Sequence, residues 1–185
     1  MKILFASPEV APFIKTGGLA DVAGSLPPAL AELGHDVRVI LPLYEQIGED
    51  WRSQMTFVKY YYVRLAWRSI YCGLFQLERN GVTYYFVDNE SYFKRQGIYG
   101  HFDDAERFAY FSRAVIETPG QIDFKPDIIH CNDWQTALVP IYLLEERYRQ
   151  NTLSRTKSVF TIHNIEYQGR YGRDLLEDLF GLDES

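Results

Sequence analysis

Residues 2–42, KILFASPEVAPFIKTGGLADVAGSLPPALAELGHDVRVILP, decide the fold. Lys2 to Ser7 is a short β-prone apolar run stopped by Pro8, and it reads as a buried strand. A loop with Pro12 and the pair Gly17-Gly18 follows. From Leu19 to Leu33 the apolar residues Leu19, Val22, Ala23, Leu26, Leu30 and Leu33 recur at helical spacing, and Gly34 stands where such a helix stops. Pro27 and Pro28 interrupt it, which predicts a kink or a restart with proline in the first turn. Val37 to Pro42 is a second apolar strand. Strand, glycine loop, helix, glycine, strand is a βαβ unit, so its strands should be parallel and its crossover right-handed.

Beyond this unit the pattern changes and then returns. Met55 to Ala66, Trp67 to Leu77 and Val82 to Val87 are rich in Tyr, Phe and Val, with an Asn80-Gly81 turn before the last. They predict antiparallel hairpins attached to, or inserted in, the α/β pattern, with packing between twisted strands accounting for most of the rings. Asp104 to Glu117 carries Phe108, Phe111, Ala114 and Val115 on a helical period, with Pro119-Gly120 as its predicted end. Asp127 to Cys131 is a strand, Trp134 to Tyr148 an amphipathic helix, and Ser158 to Ile162 a strand ending at His163-Asn164. No repeat, low-complexity tract or linker divides the chain. The prediction is one α/β domain with a β-rich excursion.

The chain has 185 residues, enough to bury about 68–70% of its unfolded surface as one domain. Its 19 Lys+Arg against 25 Asp+Glu give a net charge of −6, and no basic cluster offers a footprint for nucleic acid. The two cysteines, Cys72 and Cys131, form neither a disulfide framework nor a CxxC zinc motif, which makes a reducing cytosol the default compartment. No apolar run approaches about 18 residues, so no spanning helix is expected, and the N-terminus is too soon interrupted by Pro8 and Glu9 for a signal peptide. The tail Leu179–Ser185 carries no closing structural signal, so the length reads as that of a piece.

In open α/β sheets ligands sit outside the carboxyl ends of the strands. Three polar clusters fall there: Lys15-Thr16-Gly17-Gly18, His130-Cys131-Asn132-Asp133-Trp134, and His163-Asn164 with Tyr167-Gln168-Gly169. Glycines at a helix N-terminus let backbone N–H groups approach an anion, and the flanking Lys15 adds a point charge. The bland alternative is a turn with a glycine pair and a solvated lysine. The loop is neither a P-loop, which needs its lysine after the glycines, nor a GxGxxG fingerprint. Asp133, opening a helix after a strand, has N-cap as its default role. His163 taken alone reads as a satisfied structural histidine. No nucleophile elbow, cysteine-protease pattern or HExxH spacing is present. Local chemistry thus stops at an anion-binding α/β domain.

The combined pattern goes further. Ser7-Pro8-Glu9-Val10-Ala11-Pro12, Lys15-Thr16-Gly17-Gly18-Leu19-Ala20-Asp21-Val22, Asp103-Asp104-Ala105-Glu106-Arg107-Phe108, His130-Cys131-Asn132-Asp133-Trp134 and Thr161-Ile162-His163-Asn164 resemble, in order, bacterial glycogen synthases and plant starch synthases. The resemblance implies the N-terminal half of a GT-B fold: a Rossmann-like parallel sheet with a β-hairpin excursion over residues 1–185, on the acceptor side of a cleft. A C-terminal nucleotide-binding domain would form the other wall and is absent from this chain. The implied reaction moves glucose from ADP-glucose to the non-reducing end of an α-1,4-glucan with retention, without a metal or other cofactor, in the cytoplasm.

Residue by residue, Lys15 looks like the lysine that binds the sugar nucleotide, with Gly17 and Gly18 bringing N–H groups to the same phosphates. His163 resembles the cleft histidine beside the transferred glucose, and Asp133 the aspartate that shapes that pocket. Asp21, Tyr99 and Asn164 look like acceptor-side residues. The stretch Ile98–Asp103 is shorter than the family's usual loop. The expected partners are ADP-glucose, an α-1,4-glucan and the protein's own C-terminal domain, with no nucleic acid and no membrane. Such a fragment is expected to be inactive alone. Two other readings stay open here: a stand-alone glucan- or nucleotide-binding module, and a related GT-B transferase with another sugar nucleotide, such as a sucrose-synthesising enzyme.

Overall fold

The computed structural model describes residues 1–148 and 152–182. One seven-stranded sheet organises them. Its strands are β1 (Lys2–Ala6), β2 (Asp36–Pro42), β3 (Thr56–Leu65), β4 (Arg68–Arg79), β5 (Val82–Asp88), β6 (Ile128–Asn132) and β7 (Lys157–Thr161). Across the sheet they run β3-β4-β5-β2-β1-β6-β7. The five from β5 to β7 are parallel, and β3 and β4 add an antiparallel edge. The hairpin excursion therefore extends the α/β sheet itself. Its connection Asn80-Gly81 has positive φ at both residues (50° and 72°), as a two-residue hairpin turn requires.

The βαβ unit forms as predicted: β1 pairs with β2 in parallel, joined through α1 (Gly18–Glu32). Pro27 and Pro28 cause no restart; both lie inside α1. They remove two backbone donors, leaving the carbonyls of Ala23 and Gly24 without their i+4 partners. Gly34 ends the helix at φ 84°, its N–H bonded to Ala31 and that of His35 to Leu30. Close packing holds α1 to the loop before it. A Cβ on Gly24 would sit 2.6 Å from the Ala11 carbonyl oxygen.

Two helix boundaries differ from expectation. The helix α4 runs Asp104–Gln121, straight through Pro119-Gly120. Pro119 removes only the donor to Val115, and the turn continues with Ile122 N–H on Thr118 and Phe124 N–H on Pro119. The predicted helix 134–148 splits into a 3₁₀ turn, Trp134–Thr136, and α5 (Val139–Tyr148). Pro140 is the reason, since proline is accommodated in a first turn but not inside a helix. Two single-turn helices, α2 (Glu49–Arg52) and α3 (Glu90–Phe93), were not foreseen; numbered in chain order they precede α4. The segment around Leu176–Phe180 forms a π-type turn that returns to the β3–β4 tip, where Trp67 Nε1 donates to Asp178 over 2.9 Å. Of the tail discussed above, residues 183–185 lie outside the described residues.

The core sits between the sheet and its helices, around Leu4, Phe5, Val39, Ile40, Phe86, Tyr110, Phe111, Val115 and Ile129. Strands β1 and β2 are buried almost throughout, which is why they read as continuous apolar runs. None of the helices among the described residues is long and apolar enough to cross a membrane.

Candidate active site

Strands β1, β6 and β7 are neighbours, and their carboxyl ends bring the three predicted clusters to one rim. The side chain that ties the first cluster together is one that the sequence reading passed over. Glu9 is only 4% exposed, and its two carboxylate oxygens accept from Thr16 N–H (2.5 Å), Thr16 Oγ1 (2.9 and 3.0 Å), Gly17 N–H (3.2 Å) and Tyr99 Oη (3.0 Å). Gly17 is the N-cap of α1 and offers no side chain of its own. Glu9 thus supplies the anion that a glycine-capped helix terminus attracts. A signal for it existed: an acid just past a strand end, facing a helix start with no capping side chain.

Lys15 points elsewhere. Its Nζ lies 2.7 Å from both carboxylate oxygens of Asp21, and the pair is largely exposed. Around Gly17 and Gly18 the space is open, since a Cβ at either would meet nothing within 4 Å. Gly18 is the first residue of α1. The Gly17 N–H is already spent on Glu9, so the loop presents a cation over open glycines rather than a bare set of amides.

Tyr99 is brought in from 90 residues away by a buried scaffold. Arg107, fully buried on α4, donates through Nε to the Tyr92 carbonyl (2.7 Å), through Nη1 to that of Ile98 (3.3 Å), and pairs with Asp104. Asp104 in turn accepts the Gly100 N–H at 2.8 Å. This explains the Asp-Asp-Ala-Glu-Arg run: the second acid and the arginine, three apart on one helix face, clamp the loop that carries Tyr99. Burial, with Tyr44 and Glu9 adding negative charge, holds the Tyr99 phenol far above its ordinary range, so it is a hydrogen-bond donor and not a phenolate.

The second and third clusters are wired to each other. Asp133 does not cap the turn that follows it, contrary to its default role. Its backbone takes φ 57° and ψ 175°, its N–H donates to Thr161 (2.9 Å), and its carboxylate accepts the His163 N–H at 2.6 Å. The ring of His163 is fixed as well. Buried Asn132 donates through Nδ2 to the carbonyls of Ala6 (3.0 Å) and His130 (3.3 Å), which orients its Oδ1 toward His163 Nε2 at 2.9 Å. That amide orientation makes Nε2 the protonated nitrogen and leaves Nδ1 as the free edge of the ring. Asn132 is the second residue the sequence reading left out of its candidates.

Asn164 is exposed, and its Oδ1 accepts the Glu166 N–H at 3.0 Å. It starts the turn that returns to Gly169, at φ 55°, packed so close to Trp134 that a Cβ would lie 2.2 Å from the indole. Beneath the rim, His130 bonds Thr161 Oγ1 at 2.8 Å and is held below its ordinary pKa by burial and by nearby His163. Burial raises both thiols, that of Cys72 to about 11, so neither is poised as a nucleophile. Among the described residues no three His, Cys, Asp or Glu side chains gather as metal ligands.

The family model for the starch synthase catalytic domain matches residues 2–185. The chain belongs to the starch synthase catalytic-domain family. Its relatives include the glycogen synthases of Anoxybacillus flavithermus, 53% identical over 184 residues, and of Clostridium beijerinckii, 51% identical over 185 residues. They are matched over 100% and 99% of this chain, which spans 38% of the length of each. Among solved structures, the catalytic domain of starch synthase IV from Arabidopsis thaliana, bound to ADP and acarbose, superposes with a TM-score of 0.86 at 36% identity, over 98% of this chain and 37% of that one. A starch synthase catalytic domain is built on the GT-B plan, so the sheet described above is the Rossmann-like half that the motifs implied.

Proposed function

We propose that this chain is the N-terminal, acceptor-side domain of a retaining glucosyltransferase of the glycogen and starch synthase kind, which moves glucose from ADP-glucose to the non-reducing end of an α-1,4-glucan. The observation that carries the reading is the convergence, on one rim, of a lysine over open glycines with a histidine fixed by Asp133 and Asn132. In the full-length protein a C-terminal nucleotide-binding domain closes the other side of the cleft. The 185-residue piece is inactive alone, and the enzyme works in the cytoplasm with ADP-glucose as its donor and no resident cofactor.

The chemistry asks little of protein nucleophiles. The bond between glucose C1 and the β-phosphate oxygen of ADP breaks as the acceptor 4-hydroxyl forms a new bond to C1 and passes its proton to the departing diphosphate. Charge builds on the departing diphosphate, and Lys15 leaves Asp21 to neutralise it. His163 orients a hydroxyl of the transferred glucose from its free edge. Asp21, Tyr99 and Asn164 bind the acceptor, with the Tyr99 ring offering an apolar face to the sugar. The sheet resembles the matching part of the plant neighbour bound to ADP and acarbose, which supports an adenine nucleotide as leaving group. Full-length polypeptide given ADP-glucose and a malto-oligosaccharide should release ADP and lengthen the acceptor by α-1,4-linked units; no ADP release would reject the reading.

A further inference from the structure

Asn132 joins the three strands of the rim through a single side chain. It is the last residue of β6 and fully buried. The two hydrogens of its Nδ2 are both used, one on the carbonyl of Ala6 at the end of β1 and one on that of His130 in its own strand. Carbonyls accept and never donate, so the amide has one orientation. In the ladder Asn132 lies opposite Thr161, the last residue of β7, which brings His163 within reach of Oδ1. Turning the amide over would set its oxygen against both carbonyls and its donors against the ring. Oδ1 has only lone pairs to offer, so the hydrogen in the 2.9 Å contact belongs to His163 Nε2.

The ring held in this way is half-buried and has two unlike edges. Among the described residues no hydrogen bond reaches Nδ1. With its hydrogen on Nε2, a neutral imidazole presents a bare lone pair at Nδ1, which accepts and cannot donate. Two ionisable groups face the ring, and neither bonds it. The Asp133 carboxylate takes the main-chain N–H of His163, and His130, on the neighbouring strand, is engaged with Thr161 Oγ1 and lies edge-on to Phe5 at 4.7 Å. The choice of tautomer therefore falls to Asn132. A carboxylate in its place would draw a second proton onto the ring and turn Nδ1 into a donor; a neutral amide does not.

We propose that Asn132 is a positioning residue that sets sugar specificity. By fixing the hydrogen on Nε2 it makes His163 an acceptor-only contact, so the site takes a transferred sugar that presents a hydroxyl hydrogen there. A sugar that presents fluorine, an ether oxygen or a carboxylate at that point is rejected. The proposal rests on the glucosyltransferase reading, which places the transferred sugar beside the ring. Its physical basis is asymmetric. A hydroxyl gains one hydrogen bond at Nδ1, whereas an acceptor atom strips water from the lone pair and returns nothing. A site organised around a substrate hydroxyl rejects the analogue that lacks it far better than an apolar pocket rejects a change of size. The contact cannot adapt by turning the amide, because both hydrogens of Asn132 Nδ2 are already committed.

Two measurements on the full-length protein test this. Nitrogen NMR with isotope-labelled histidine, the His163 signals being identified by their loss in His163→Gln, should show a hydrogen on Nε2 alone in the parent and both tautomers in Asn132→Leu. The second compares kcat/KM for ADP-glucose with that for its analogues carrying fluorine in place of each glucose hydroxyl in turn. At one position the parent should discriminate against fluorine about tenfold more strongly than Asn132→Leu does. The effect of fluorine on bond breaking is common to both proteins and cancels in that ratio. Should Asn132→Leu melt early, Asn132→Asp keeps the size of the side chain, and its turnover should fall off on the acid side about one pH unit above the parent's. A hydrogen on Nδ1 in the parent overturns the proposal. So does a folded variant with the parent's discrimination at every position and the parent's pH profile. A protein whose tautomer depends on Asn132 as stated but which transfers no glucose refutes the transferase reading alone.

Discussion

The loop after β1 and the turn after β7 lie on the same rim, on either side of β6, yet they are built in opposite ways. The first is closed on itself: Glu9 fills the amides of Thr16 and Gly17, and Asp21 neutralises Lys15. The second is braced from behind and open in front, with Asp133 and Asn132 holding His163 by its N–H and Nε2 while Nδ1 stays free. On the proposed function the first loop exchanges partners when an anion arrives, and its charges start provisionally paired. On the same reading the ring that holds a sugar starts already braced. The weak link lies at Lys15–Asp21, since exposed ion pairs contribute about 0–1 kcal/mol and yield readily to a stronger partner.

Three substitutions in the full-length protein break or sharpen this contrast. The largest effect belongs to the open side. His163→Ala should lower turnover by about 10²–10³-fold and cost about 1–3 kcal/mol of stability, because the buried Asn132 Oδ1 loses its partner. Parental turnover would remove His163 from the chemistry. Glu9→Gln comes next, at about 1–3 kcal/mol of stability, since all four partners are donors and an amide turns one end of the side chain into a donor as well. It should also raise KM for the glucan through the loosened Tyr99. A thermal melt and an acceptor titration read the two parts, and an unchanged melting temperature would show that Glu9 does not hold the loop. The smallest effect belongs to the exposed pair. Lys15→Ala should weaken apparent affinity for ADP-glucose about tenfold while that for glycogen holds. Equal donor affinity in mutant and parent would reject the role given to Lys15.

Much of this architecture could be read from local pattern, and the misses share one cause. The unit β1–α1–β2 declares itself because apolar period, glycine stop and parallel pairing all depend on neighbours in sequence. Pro119 and Pro140 misled in opposite directions. One sits where the chain can give up a single donor and continue, the other where a new helix can begin, and only the surrounding carbonyls distinguish the cases. In the site, Lys15, Asp133 and His163 could be located from strand ends. The wiring could not, because Glu9 meets Tyr99 across 90 residues and Asn132 meets His163 across a strand pairing. The tyrosines of β3 show the same limit. Consecutive aromatic residues on both faces hide which face is covered, and only the three-dimensional sheet reveals that Tyr61 is inside and Tyr60 and Tyr62 are out.

The backbone of Asp133 stores strain that the rest of the fold has to offset. At φ 57° and ψ 175° it occupies a region that glycine enters freely and an aspartate only against about 1–3 kcal/mol. Four hydrogen bonds hold it there: its N–H donates to Thr161, its carbonyl accepts from the N–H and Oγ1 of Thr136, and its carboxylate accepts from the His163 N–H. Asp133→Gly would relax the chain and let the imidazole drift. On the proposed function durability and activity pull apart at this position, so a sturdier variant is better sought elsewhere in the chain.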